Sequence, residues 1–366
     1  MKILILNPIM YTPHKNIIPK VKSIKDTMMY NMCLGFKQNN HHITLAVAEE
    51  YKPTEMEKYD FEVLFFKSNF TSLFLPSVIP FSIDLFFYLK KKQSTFDIII
   101  SSEVFSFQSL FASLLCPTKT IIWHEMAIHQ RKMKKLPSKI WYKIIAPLFE
   151  RKSYVIPRSK PAYKFIHKYL KNVSSTPIEH GINLEQFKFQ EEKKKQFIVV
   201  SQLIPRKNIE SIIKKFNLFL KKYDSSYKLL IVGKGELHDK LEQMIKELHL
   251  ENNIFLLGFK NHTELNLLLA ESKGLLIDTF QDNNMVSIPE SIVCGTPIIT
   301  NSIPTNSYFI QDHKLGIVKE WDENDLQEVA TNNLYVKNCI NIRETLSNHY
   351  LCNKMINIWN NHINKK

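Results

Sequence analysis

Cysteine is scarce in this 366-residue chain: there are five, Cys33, Cys116, Cys294, Cys339 and Cys352, and no two form a C-x-x-C pair. An odd count without paired spacing argues against a disulfide framework, and three of the five sit in apolar runs. All five are read as buried, reduced thiols. No secretory leader is recognisable. The opening MKILILN is too short for the apolar region of a signal peptide and reads as a first strand, so a cytoplasmic location is expected. No uninterrupted apolar run reaches the ~20 residues of a spanning helix. Residues 70–89 come nearest, but Pro76, Pro80 and Asp84 interrupt them and Lys90, Lys91 and Lys92 follow. They read as a loop and helix, or as an element dipping into a membrane interface. Internal repeats and low-complexity blocks are absent too.

Acidic residues are short in the first half only. Residues 1–190 hold 27 Lys+Arg against 14 Asp+Glu, a surplus of +13, while residues 191–366 hold 22 against 21. Such asymmetry speaks about partners: nucleic acid, anionic lipid or a phosphorylated acceptor. The basic half lacks a nucleic-acid recognition motif and its aromatics fall inside strands, so no nucleic-acid partner is expected.

What is present is a repeated alternation. Short β-rich runs occur at 2–7, 42–48, 61–66, 97–101, 118–123 and 153–157, with helical patterns between most of them, including 21–37, 103–115 and 138–151. The second half repeats the logic. Its runs lie at 196–201, 228–233, 253–257, 274–277 and 297–300, and its helical patterns at 208–223, 235–248, 262–271 and 288–294. Continuously apolar strands alternating with helices predict parallel sheets covered on both faces. The fold class is therefore α/β, two Rossmann-like doubly wound domains facing across a cleft, the default place for a site. The charged run Glu191–Lys195 marks the boundary. It divides the chain into residues 1–190, residues 191–340 and a C-terminal helix in 341–366 that is expected to pack back toward the N-terminal domain.

The segment richest in chemistry runs from Asp282 to Ile299. Asp282 and Glu290 stand eight apart before a short helix, and Cys294-Gly295-Thr296-Pro297 leads into a strand. Ser287-Ile288-Pro289-Glu290 has the S-x-x-E form of a capping box, with proline early in the helix. The same helix start, at Ser287 and Ile288, offers N–H groups suited to a phosphate, and a carboxylate beside it suits the vicinal hydroxyls of a ribose.

This segment resembles the E-x7-E motif of glycosyltransferase family 4. Four further segments resemble that family in the same order: residues 179–187 (EHGINLEQF), 199–208 (VVSQLIPRKN), 230–236 (LIVGKGE) and 253–259 (NIFLLGF). The likeness covers about residues 175–320 well and the first half in outline. It implies a GT-B fold and retaining transfer of a sugar from a nucleotide-sugar donor. It also implies roles: Glu290 on the donor ribose, Lys207 on the diphosphate, and Asp282 near the transferred sugar's hydroxyls. Phe259 and Lys260 would lie by the base, and His124, at a strand end, close to the reacting sugar. His129 is a secondary candidate. His180 takes the place of the family's Asn and reads as structural, and Ser159, after Arg158, reads as a helix cap. Three departures stand out. Asp282 replaces a Glu, Gln202 replaces an Arg with Arg206 next to Lys207 as a compensating charge, and residues 7–14 contain no glycine.

The D-x-D triplet that would hold a metal on a loop is missing, so no cofactor is expected and the leaving diphosphate would be stabilised by Lys207 and Arg206. The spacing of Asp282 and Glu290 assigns no double-displacement pair, whose carboxyls lie ~5 Å apart in retaining glycosidases. The expected partners are a nucleotide-sugar donor and a glycan or lipid-linked acceptor. Peripheral contact with the inner face of the cell membrane would run through the basic first half, including Arg131–Lys135. The alternatives are an epimerase or phosphorylase of the same fold, or an inactive scaffold subunit.

Overall fold

The computed structural model describes residues 1–11, 18, 20–127 and 135–364. It divides into two compact units, residues 1–181 with 348–366, and residues 182–347.

The first unit is built on strands β1 (Lys2–Leu6), β2 (His42–Ala48), β3 (Glu62–Phe66), β4 (Ile98–Ser102), β5 (Thr120–His124) and β6 (Tyr154–Pro157). All its pairings are parallel, in the order β3-β2-β1-β4-β5-β6. Its strands do not alternate apolar with polar because both faces are covered. Ile3 and Ile5 face one core with α1 (Met28–Gln38). Leu4 and Leu6 face another, with α2 (Ile83–Lys92) and α3 (Phe107–Leu115). A helix follows β5. It begins as an α-helix over Leu136–Ile140 and continues as a π-helix over Trp141–Glu150; the two parts together are α4. Pro147 gives one reason, for it has no N–H to bond the carbonyl four residues back and its ring crowds that carbonyl. α5 (Lys160–Ile166) starts at Ser159, whose hydroxyl accepts from the Ala162 N–H at 3.2 Å.

The second unit repeats the plan with β7 (Gln196–Val200), β8 (Lys228–Val232), β9 (Ile254–Gly258), β10 (Gly274–Leu276), β11 (Ile298–Thr300) and β12 (Gly316–Val318), all parallel. The order is β12-β11-β10-β7-β8-β9. Helices α6 (Ile209–Lys222) and α7 (His238–Glu247) cover one face, while α8 (His262–Glu271) and α9 (Ser287–Val293) cover the other. α10 (Ser307–His313), α11 (Glu323–Thr331) and α12 (Asn333–Ile342) complete it. The last helix, α13 (Asn348–Ile363), belongs to the first unit, where Leu351, Met355 and Trp359 enter the α1 core.

Several boundaries differ from expectation, each for a local reason. The helix expected over 21–37 starts at Met28, because Thr27 is extended and its side chain caps the Tyr30 N–H. The one expected over 103–115 starts at Phe107. Glu103 has φ +68, outside right-handed helical space, and Ser106 caps instead. The helical tail is interrupted by a 3₁₀ turn at Arg343–Leu346 and by extended Ser347. The expected boundary at 190/191 falls inside the second unit, since the charged run there is stitched in rather than free. Lys193 Nζ donates to Ala270 O (2.7 Å), Cys294 O (3.0 Å) and Thr296 Oγ1 (3.1 Å). All five cysteines are free and buried. Among the described residues, no helix is long and apolar enough to cross a membrane.

Candidate active site

In the second sheet the strand order reverses between β7 and β10, and open parallel sheets bind ligands at the carboxyl ends of such neighbours. The loop after β7 carries Gln202, Arg206 and Lys207. The loop after β10 carries residues 278–286 and leads into α9 and Glu290.

These two loops are tied together by charge and backbone. Lys207 Nζ and Asp282 form a short ion pair, and Arg206 reaches the same carboxylate at 3.3 Å. Arg206 also donates to Gln281 O at 2.9 Å, and its own carbonyl accepts from Thr279 Oγ1 (2.8 Å) and the Phe280 N–H (2.9 Å). Lys207 is buried, which pulls its ammonium pKa below the ordinary value although Asp282 acts in the opposite sense. Beneath them lies buried Asp278, which accepts from Ser211 Oγ (2.7 Å), Lys215 Nζ (2.8 Å) and Asn301 Nδ2 (3.3 Å). Sequence reasoning missed Asp278; its signal is a carboxylate one residue beyond an apolar strand run.

Gly233, after β8, sets the height of the β7 loop. Its φ is +143, and a Cβ there would collide with the Ser201 carbonyl oxygen. Gln202 itself is exposed.

Glu290 lies on α9, buried, with His262 Nδ1 at 3.8 Å from its carboxylate. Burial pushes its carboxyl up to about 8. The capping box does not form. Ser287 lies within the helix, the capping position is held by Val286, which makes no side-chain capping bond, and the Ile288 N–H is already bonded to Met285 O at 3.2 Å. The helix instead follows directly from the β10 loop, which leaves the Glu290 side chain unused by its own backbone. Phe259 is exposed after β9, and neighbouring Lys260 pairs with Glu264 at 3.2 Å.

The remaining candidates belong to the first unit. His124, the last residue of β5, is fully buried. Its Nδ1 bonds Glu103 Oε2 at 3.0 Å, and its Nε2 has no partner among the described residues. Glu103 also accepts from the N–H groups of Glu125 (3.0 Å) and Met126 (3.3 Å), and these bonds hold its left-handed backbone in place. Glu125 receives Arg158 at 2.9 Å and faces His180 Nε2 at 3.6 Å. Burial would raise the Glu125 carboxyl, but His180 and Arg158 outweigh it and hold it at about 2. Arg158 in turn lies over the Trp123 ring at 3.7 Å. This network of two carboxylates, two histidines and a guanidinium was legible only in part. Glu103 and Glu125 are each separated in sequence from partners that the parallel sheet brings together at its strand ends. His129 and residues 131–134 of the basic patch lie outside the described residues. Among the described residues, no group of three or more His, Cys, Asp or Glu is placed to hold a metal ion.

The architecture is similar to that of a variant of TarM from S. aureus, solved with fondaparinux, alpha-GlcNAc-glycerol and UDP. It superposes with TM-score 0.65 over 98% of this chain and 99% of that one, at 16% identity. The chain has the GT-B fold. Residues 182–335, nearly the whole second unit, match the family model described as glycosyl transferases group 1. Two curated relatives match at the sequence level. One is the poly(ribitol-phosphate) alpha-N-acetylglucosaminyltransferase of Staphylococcus aureus, 30% identical over 45% of this chain and 34% of the relative. The other is the O-antigen chain mannosyltransferase RfbU of Salmonella typhimurium, 29% identical over 36% of this chain and 38% of the relative. The match thus spans little more than a third of either relative's length.

Proposed function

We propose that this protein transfers a sugar, with retention of anomeric configuration, from a nucleoside-diphosphate donor to a glycan or lipid-linked acceptor in cell-surface polysaccharide synthesis. The observation that carries the reading is the Lys207–Asp282–Arg206 cluster on two loops at the β7/β10 reversal, one of which runs on to buried Glu290. The cell-surface setting is supported by the relatives' names, which concern a poly(ribitol-phosphate) chain and an O-antigen chain. UDP in the TarM structure makes UDP the first nucleoside diphosphate to try.

In this reading Lys207 and Arg206 meet the diphosphate and stabilise the negative charge that grows as the glycosidic bond breaks. Such preorganised charge contributes ~10²–10³ in rate when one donor is removed. Asp282 keeps both cations in place before the donor arrives and then faces the sugar's hydroxyls. Glu290 accepts hydrogen bonds from the ribose hydroxyls, Phe259 and Lys260 flank the base, and Gln202 borders the phosphates from its exposed loop. No metal is assigned a role. In the first unit, His124 acts through Glu103, because its ring is buried and its Nδ1 is engaged there. The basic first half supports contact with a membrane surface, where a lipid-linked acceptor would be found.

A thermal-shift screen with UDP, GDP, ADP and CMP, repeated in EDTA, tests the reading. A ligand that binds only the folded state adds ~2.7 kcal/mol at 100 times its Kd. One nucleoside diphosphate is expected to raise the melting temperature equally with and without EDTA. Glu290→Ala is expected to abolish the shift, and Lys207→Ala to lower turnover by ~10²–10³. If no nucleotide shifts the wild type, the donor assignment fails.

A further inference from the structure

A surface helix normally buries one apolar stripe and shows water a polar one. α4 does not. On its inner side Ser138, Tyr142, Ala146 and Glu150 are buried at a spacing of four. On its outer side Leu136, Ile140, Ile144 and Leu148, at the same spacing, are 68%, 43%, 52% and 59% exposed, and Phe149 beside them is also exposed. The polar residues that frame this outer stripe are of one sign. Lys135, Lys139, Lys143, Arg151 and Lys152 are all exposed, whereas the only acid between 135 and 152, Glu150, is buried.

A second apolar group emerges nearby. Phe70, Leu73 and Leu75, in the loop before α2, and Phe87 on α2 are exposed, and exposed Lys90, Lys91 and Lys92 close that helix. One aromatic layer underlies both groups. Phe74 packs on Phe107 with ring centroids 4.8 Å apart, and Phe107 on Trp141 of α4 at 5.5 Å. Exposed Leu114 lies on α3 between them.

We propose that this face of the first unit, the outer stripe of α4 with the loop and helix at 70–92, docks onto an anionic lipid bilayer. It deepens the membrane contact in the reading above by naming its surface and its lipid chemistry. Apolar side chains entering the acyl boundary with lysines at headgroup level are the pattern of a helix lying in the interface plane. The charge also selects the occupant. A second copy of this chain would bring two rows of lysine together, whereas anionic headgroups neutralise one row. No described helix can cross the bilayer, so the face lies on it.

The test uses the full chain in co-sedimentation with vesicles of phosphatidylcholine alone and of phosphatidylcholine mixed with phosphatidylglycerol. The wild type is expected to bind the mixed vesicles, more weakly as salt rises. Ile144→Glu with Leu148→Glu is expected to weaken binding by about tenfold or more. Lys139→Ala and Lys143→Ala are each expected to weaken it about fivefold. Leu218→Glu, at an equally exposed apolar position in the second unit, should change nothing. The proposal is overturned if the wild type binds neither vesicle, or if the Ile144/Leu148 variant binds as well as wild type. It is also overturned if light scattering shows a dimer that this variant splits, without vesicle binding. Nucleotide-induced melting shifts measured on the same samples separate the two readings. They should survive every one of these substitutions, and their absence in the wild type would count against the donor site alone.

Discussion

Glu290 is an acid whose surroundings oppose its charge. Burial raises its carboxyl to about 8 from an unfolded value of ~4.3, so between those two the folded chain holds a proton that the unfolded chain releases. Stability from this group is therefore complete below the unfolded value and is lost as pH rises through about 8. Glu290→Gln keeps the shape and removes the charge. Denaturant unfolding should find variant and wild type nearly alike at pH 4, with the variant more stable at pH 8 by at most about 5 kcal/mol. A variant less stable at pH 8 would mean that the carboxylate is ionised and paired in the fold. In the proposed function the same burial would favour a ribose, since its hydroxyl donors would satisfy an acceptor that α9 leaves unused. At this scale the sequence pointed to Glu290, Lys207 and Asp282 through their resemblance to family motifs. It did not reveal that Lys207 and Asp282 are partners, because 75 residues separate them.

Elements position these residues through a few backbone decisions. Gly233 is one, for its φ of +143 and the Ser201 carbonyl against it leave no room for a side chain. Gly233→Ala should cost more than about 1 kcal/mol by chemical denaturation. It should also weaken nucleotide binding, because the loop carrying Gln202, Arg206 and Lys207 must shift to accept a methyl group. Stability equal to wild type would show that the loop gives way freely. Strand positions were legible because continuous apolar runs have few other uses. Helix starts were less so. Thr27 and Ser106 cap helices that periodicity alone would have begun several residues earlier, and the capping box read at Ser287 does not form. A serine's hydrogen-bond partner depends on backbone angles that the letters do not contain.

For the whole molecule the decisive feature is that the chain leaves the first unit at 181 and re-enters it at 348. Asn348, which opens α13, fits beside Gly35, where a Cβ would approach its backbone to 2.7 Å. Farther along, Trp359 is buried in the same core as α1. Trp359→Ala should therefore destabilise the first unit by ~3–5 kcal/mol. Nucleotide affinity, measured by calorimetry below the melting temperature, should be unchanged if binding belongs to residues 182–347. A large loss of affinity would show that the donor site depends on the first unit's integrity.

Composition and periodicity by themselves determined the α/β class, the two sheets and the charge asymmetry, because burying a parallel strand on both faces demands a run of apolar residues wherever it occurs. Resemblance to family motifs pointed to the loops after β7 and β10. Tertiary structure alone decided the pairings within those loops, the Glu103–His124 and Glu125–Arg158 network at the ends of the first sheet's strands, and the return of the tail. Each of these joins residues distant in sequence through a sheet order that no local pattern encodes. The same holds for the outer stripe of α4. Its letters are those of any amphipathic helix, and only the packing shows that the stripe of Leu136, Ile140, Ile144 and Leu148 is the one left uncovered.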